Sequence, residues 1–190
     1  IASSDKSRFL LYRFLSNGQL DATFNSSGIV VTKIANYKWN WIENLQIQKD
    51  GKIIVAGIVK TKSDYLYAVV RYNPDGSLDS TFGKKGISLI DMGRDEQLDG
   101  FEIQTDGNIT VAGIVKVNGQ GVLGMFRLNK NGVLDSTFGK AGKIYPKFAD
   151  DIENADLAIQ RDGKIVVIGY GAVSNKEYSH GSFIARFLVE

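Results

Sequence analysis

Aromatic side chains concentrate in one short stretch, Asn36-Tyr37-Lys38-Trp39-Asn40-Trp41, which holds both tryptophans of the 190-residue chain. Flat rings interleaved with Asn and Lys suit stacking on a sugar face or anchoring a protein partner, so Tyr37, Trp39 and Trp41 are the binding candidates. Acidic groups gather in two other stretches, Arg94-Asp95-Glu96 and Asp150-Asp151-Ile152-Glu153. Neighbouring carboxylates are ordinarily a solvated surface, but such a set could also hold a cation or do acid–base work. His180 is the sole histidine and lies in segment 172–181 with Glu177 and Tyr178. One imidazole makes no multi-His metal site, and no Ser, His and Asp grouping recurs in one motif. Asp75-Gly76-x-x-Asp79 has the outline of a calcium loop but lacks the further oxygen ligands and the distal Glu. The absence of cysteine removes disulfides, thiolate catalysis and thiolate metal sites together. No cofactor is expected.

Composition narrows the classes further. With 43% apolar and 23% charged residues the chain reads as globular, and a single domain over 1–190 is expected. Net charge is only +2 and the charges are interspersed, so no basic stripe for phosphate contacts is present and nucleic acid is not an expected partner. The longest apolar runs, such as 111–117, are far too short to span a bilayer, so membrane insertion is not expected. The chain opens Ile-Ala-Ser-Ser with neither an initiator Met nor a signal-peptide pattern, which suggests a processed or excised segment.

The elements that must position these groups repeat. Asp50-Gly-Lys-Ile-Ile-Val-Ala-Gly57 returns 56 residues later as Asp106-Gly-Asn-Ile-Thr-Val-Ala-Gly113, and again as Asp162-Gly-Lys-Ile-Val-Val-Ile-Gly169. Each period contains four short, β-rich stretches bounded by Gly, Asn or Asp, here called A to D, and helical periodicity is absent. Type A is 45–48, 101–104 and 157–160, joined through Asp-Gly to type B, the repeated segment itself; the dipeptide predicts a two-residue type I′ hairpin. Type C is 9–15, 65–72, 121–128 and 182–188, and type D is 29–34, 87–92 and 143–148. Four-stranded antiparallel sheets repeated along a chain are the blades of an all-β propeller, with repeats at about 9–64, 65–120 and 121–190. Type C occurs four times and the others three, so about three blades are expected, completed into a ring by further sequence or by a second chain or copy. In a propeller the D–A and B–C connections share one rim, and here those connections differ while the rest recurs. The aromatic and acidic stretches are expected on these variable rim loops.

Between C and D lies the most specific signature. It reads Arg71-Tyr-Asn-Pro-Asp-Gly-Ser-Leu-Asp-Ser-Thr-Phe-Gly83 and Arg127-Leu-Asn-Lys-Asn-Gly-Val-Leu-Asp-Ser-Thr-Phe-Gly139, with a looser copy from Arg13 to Asn25. With the Gly-led strand and the Gln-x-Asp-Gly-Lys-Ile stretch that follow, the chain resembles the delta-60 repeat β-propeller family of bacteria over nearly its whole length. The resemblance implies a bacterial, often secreted or surface-associated propeller, and brings no catalytic residues. Asn25 stands where the other copies close with Gly.

The residues of the signature predict their own roles. Asp21, Asp79 and Asp135 precede a Ser/Ala-Thr-Phe turn whose backbone N–H groups they can cap. Each lies eight residues after Arg13, Arg71 or Arg127, which are expected to reach back to it. Phe24, Phe82 and Phe138 are expected to plug the gaps between blades. Gln48, Gln104 and Gln160 form either a polar ring along the channel or ties at the A–B turn.

These readings favour a non-catalytic binding or scaffold module at the bacterial cell exterior, recognising a glycan or protein partner through its rim. The alternative is an enzyme, a lyase or hydrolase with Asp95, Glu96, Asp150, Asp151 and His180 gathered at the channel mouth. A third reading is a repeat segment of an adhesin-like surface protein.

Overall fold

The computed structural model describes residues 2–5, 8–34, 37, 39–147, 149–172 and 180–188, with side chains except at 2–5, 94–96 and 150. Asn36, Lys38, Glu177 and Tyr178, and the side chains of Asp95, Glu96 and Asp150, therefore lie outside the described residues. The described chain is all β, without helix. It divides into two compact units, Ile1–Asp91 and Met92–Glu190.

The first unit holds two antiparallel meanders. One has the order β1 (Ala2–Asp5), β2 (Arg8–Tyr12), β3 (Ile29–Lys33); the other runs β4 (Trp39–Ile47), β5 (Ile53–Lys60), β6 (Tyr65–Tyr72), β7 (Ile87–Ile90). The second unit repeats the pattern with β8 (Arg94–Ile103), β9 (Ile109–Val117), β10 (Gln120–Leu128), β11 (Lys143–Ile144), followed by β12 (Asp150–Ile159), β13 (Ile165–Ala172), β14 (His180–Phe187). Sheets two and three have the four antiparallel strands of propeller blades, and among the described residues sheets one and four hold three strands each. The strand count exceeds the expectation by one. Ala2–Asp5 pairs with β2 in the type B position, although Ala-Ser-Ser-Asp carries no apolar alternation to announce a strand.

Within each unit the core is the layer between two sheets. Phe9, Leu11 and Val30 of sheet one meet Val55, Val59, Ala68, Val70 and Tyr72 of sheet two. Ala112, Ile114 and Met125 of sheet three meet Leu157, Ile165, Val167 and Phe183 of sheet four. The type B strands β5, β9 and β13 are central, and Ile53 to Val59 is buried on both faces, which is why it reads as a continuous apolar run rather than an alternation.

The A–B hairpin differs from the type I′ expectation. Gln48 and Lys52 close a three-residue loop in which Gln48 N–H donates to Lys52 O at 2.8 Å and Gly51 N–H to Gln48 O at 2.9 Å. Gly51 has φ 82° while Asp50 is not in the left-handed region, whereas type I′ requires both central residues there. Asp50 instead accepts the Lys52 N–H at 3.1 Å, an Asx contact that holds the loop, and Asp106 and Asp162 repeat it. Gln104 and Gln160 close their hairpins through the same backbone bonds, whereas the buried Gln48 Oε1 has no hydrogen-bond partner.

The C–D signature behaves as its residues foretell. Arg13, Arg71 and Arg127 each donate from Nε to Asp21, Asp79 and Asp135 at 2.7 Å. The other carboxylate oxygen accepts a Thr backbone N–H and the Thr hydroxyl in every copy. Each guanidinium lies over the ring of Phe24, Phe82 or Phe138 at 4.5–4.8 Å from the centroid. All three rings are buried; Phe24 belongs to the core between sheets one and two, and Phe138 to that between sheets three and four. Asn25 adopts φ 50°, matching Gly83 at 51° and Gly139 at 56°, and its amide donates to Ile29 O at 2.7 Å. Asn is the residue other than Gly best able to sit there, because its side chain bonds locally.

Burial opposes the charge of Asp79, but bonds from Lys52, Thr81 and Arg71 outweigh it and hold the carboxyl far below its ordinary value. A depressed folded pKa stabilises the fold above the unfolded value of 3.8, and the gain is lost as pH falls below it. The stability difference between the wild type and Asp79→Asn, measured by urea unfolding, should therefore be constant between about pH 7 and pH 5 and shrink below about pH 4. A difference independent of pH would show that Asp79 is not held as its anion.

Candidate functional site

Trp39 and Trp41 stand on a strand, not on a rim loop. Type A strands extend outward by several residues beyond the predicted 45–48, 101–104 and 157–160, so the D–A connections shrink and the acidic stretches 94–96 and 150–153 also fall within β8 and β12. The extension escaped the sequence reading because each strand carries a bulge that breaks its alternation: register slips between Ile42 and Asn44, Leu98 and Gly100, and Ile152 and Asn154.

The bulge explains the glycine that ends Ile-Val-Ala-Gly. Gly57 pairs with Ile42 beside the slip, and a Cβ there would overlap the Trp41 carbonyl oxygen. Only glycine lets β4 approach β5 closely enough to carry both tryptophans along the sheet edge.

On that edge the side chains alternate. Trp39 and Trp41 face outward, 40% and 38% exposed, while Asn40 between them is buried on the opposite face. The two indoles are near-parallel, with centroids 6.0 Å apart and planes 10° from each other. Register sets Trp39 opposite Lys60 and Lys60 opposite Tyr65, which brings a third ring alongside. The Tyr65 ring lies 6.2 Å from Trp41, tilted by 38°. Lys60 Nζ donates to the Tyr65 hydroxyl at 2.9 Å and sits 4.8 Å from its ring centroid. The result is an aromatic strip of three rings, with an ammonium at one end. Tyr65 and Lys60 were not singled out from the sequence; the signal for them is the hairpin register, which links positions across the short B–C turn.

Tyr37 parts company with the tryptophans. It is half-buried and packs against the core between sheets one and two.

The acidic and histidine groups have partners of their own. Asp151, at φ 45° in the first slip of β12, accepts the Gly121 N–H at 2.9 Å and lies 3.8 Å from Lys116 Nζ. Asp99 accepts the Ala155 N–H at 3.1 Å and stitches β8 to β12. His180 Nε2 is 3.3 Å from Glu153 Oε1, and its ring stacks on Tyr170 with centroids 5.8 Å apart. Among the described residues no group of three or more His, Asp or Glu is arranged to hold a metal ion.

Comparison with known proteins gives a family match. The model of a β-propeller family, described as a domain of unknown function (DUF5122), matches residues 2–24, 48–82 and 104–138. These stretches take in all three copies of the Arg-to-Phe signature and two of the A–B hairpins. No curated protein matches the chain. Among solved structures, an endo-1,4-beta-xylanase from Bacteroides thetaiotaomicron aligns over 96% of this chain and 68% of its own, at 11% identity and a TM-score of 0.46.

The close approach at Gly57 yields a prediction. Gly57→Ala must push β4 away from β5, so the exciton signal of the stacked indoles in circular dichroism should weaken and thermal stability should fall. An unchanged couplet would show that the bulge does not position the tryptophans.

Proposed function

Because the chain is a β-propeller repeat protein, its individuality lies where the repeats differ, and we propose that it is a non-catalytic binding module that takes a glycan on the Trp39–Trp41–Tyr65 strip. The observation that carries this reading is the near-parallel indole pair on an exposed sheet edge. Flat, preorganised rings offer apolar area to sugar C–H faces at little entropic cost, and the flanking Lys60 and Tyr65 hydroxyl supply polar contacts. The delta-60 resemblance supports a bacterial, secreted or surface-associated setting, and open sheet faces support a second chain or copy completing the ring. A protein partner anchored on the same rings is the second reading, favoured by the enrichment of Trp and Tyr at interface centres.

The proposal assigns no catalytic group; Asp151 and His180 each make local contacts, to the Gly121 N–H and to Glu153 and Tyr170.

A glycan array followed by calorimetry on the hits tests the proposal. Trp39→Ala and Trp41→Ala should each weaken binding by about tenfold, in keeping with the loss of about 1.4 kcal/mol of stacking and burial. Retained glycan affinity in both variants would move the site elsewhere, and release of new reducing ends from a bound glycan would make the protein an enzyme.

A further inference from the structure

One register position carries a lysine in both four-stranded sheets. Lys60 stands opposite Trp39 and Tyr65, and Lys116, one repeat later, stands opposite Arg94 and Gly121. In the second unit this lysine meets a carboxylate: Asp151 lies 3.8 Å from Lys116 Nζ and takes the Gly121 N–H at 2.9 Å. The first unit departs from that arrangement. There the Tyr65 N–H is taken by Asp64 Oδ1 of its own turn at 2.9 Å, and among the described residues no carboxylate lies within ion-pairing distance of Lys60.

The Lys60 ammonium is held in place all the same. It donates to the Tyr65 hydroxyl at 2.9 Å and sits 4.8 Å from the centroid of that ring, which fixes it at one end of the aromatic strip. An ammonium has three N–H donors, and the hydroxyl accepts one of them. The side chain is half-buried, so the charge is less screened than that of a lysine standing in open solvent. Flat rings to stack on, with a fixed positive charge beside them, are the two parts of a site for a saccharide that carries an anion.

We propose that the strip is selective for acidic glycans: its ligands are uronic-acid saccharides, with a ligand carboxylate bonding the Lys60 ammonium while sugar faces lie on Trp39 and Trp41. The ligand then supplies to Lys60 the kind of group that Asp151 supplies to Lys116. Lys60 is the residue that reads charge, and the indoles supply area to any sugar face, charged or neutral. The inference rests on the glycan reading of the strip and adds to it the chemical class of the ligand.

The test uses the intact chain and a panel of uronate oligosaccharides, including oligogalacturonate, oligomannuronate and a glucuronate-bearing oligosaccharide, each beside its carboxyl-reduced neutral counterpart. Affinities are read by calorimetry at neutral pH and low salt. At least one acidic form should bind about tenfold or more tightly than its neutral counterpart, as one charge-assisted bond provides, and added salt should narrow the gap. Lys60→Met, which keeps the stem and removes the charge, should erase the preference, and Lys60→Arg should retain it. Trp39→Ala should weaken both forms and leave their ratio standing. Because each ratio is taken within one variant, partial loss of folded protein cancels. Equal binding of the acidic and neutral forms by the wild type overturns the proposal and leaves the glycan reading intact. A preference that survives Lys60→Met overturns it as well, since the charge would then be read elsewhere. Failure of every saccharide to bind, charged or neutral, overturns the glycan reading together with the proposal.

Discussion

The carboxylate of Asp79 is met from several sides at once: Arg71 Nε and Lys52 Nζ share one oxygen at 2.7 Å each, while Thr81 gives the other its backbone N–H and its hydroxyl. The Arg71 guanidinium then lies over Phe82, whose ring is buried. A charge so far from water is costly unless its bonding is complete, and here it is. This clamp converts a loop of irregular backbone into a fixed plug. Phe24 and Phe138, covered in the same way, sit in the cores between the two sheets of their units. In the first unit Arg13 also donates to Pro74 O at 2.6 Å, and Asn25 N–H to Asp75 O at 2.7 Å, so one copy's clamp holds the next copy's turn. Exposure of the ion pair is graded, from 7% and 5% for the Arg71 and Asp79 side chains to 35% and 15% for Arg13 and Asp21, so the middle copy is the one where desolvation and pairing are most tightly matched.

With turns fixed on one side of each sheet, the opposite ends of the type A strands are left to vary. Their common device is the bulge, with a glycine opposite or nearby to allow close approach. The side chains presented there differ, with Trp39 and Trp41 in β4 and Asp151 and Glu153 in β12. Shared residues build the sheet, and unshared ones line its edge. That division is what allows a binding surface to change without disturbing the clamp or the core.

The clamp was legible in the sequence because three copies hold the same Arg–Asp spacing of eight residues, and a carboxylate before Ser/Ala-Thr-Phe has few other uses. Asn25 was visible as a departure, and its left-handed backbone shows that the departure is conservative in geometry. The binding edge was legible only as a composition of residues. Nothing in Asn36–Trp41 reveals that a strand begins at Trp39, because the slip after Ile42 destroys the period-two pattern that marks strands. Tyr65 and Lys60 join the tryptophans through register alone, which depends on a hairpin the sequence does not number. The Asp-Gly turns were placed correctly but given one loop residue too few, since the dipeptide is compatible with both a type I′ turn and a type I turn closed by a left-handed glycine. Ala2–Asp5 forms a strand through backbone pairing, a kind of stability that leaves no apolar signature.

A double-mutant cycle on Arg71→Ala and Asp79→Ala, read by urea unfolding at neutral pH, measures the clamp directly. Interdependent residues predict a coupling of about 1.5–3 kcal/mol between the two changes, because Asp79→Ala leaves the buried Arg71 without its carboxylate and Arg71→Ala leaves Asp79 to Lys52 and Thr81 alone. Losses that simply add, to within about 0.5 kcal/mol, would contradict the account.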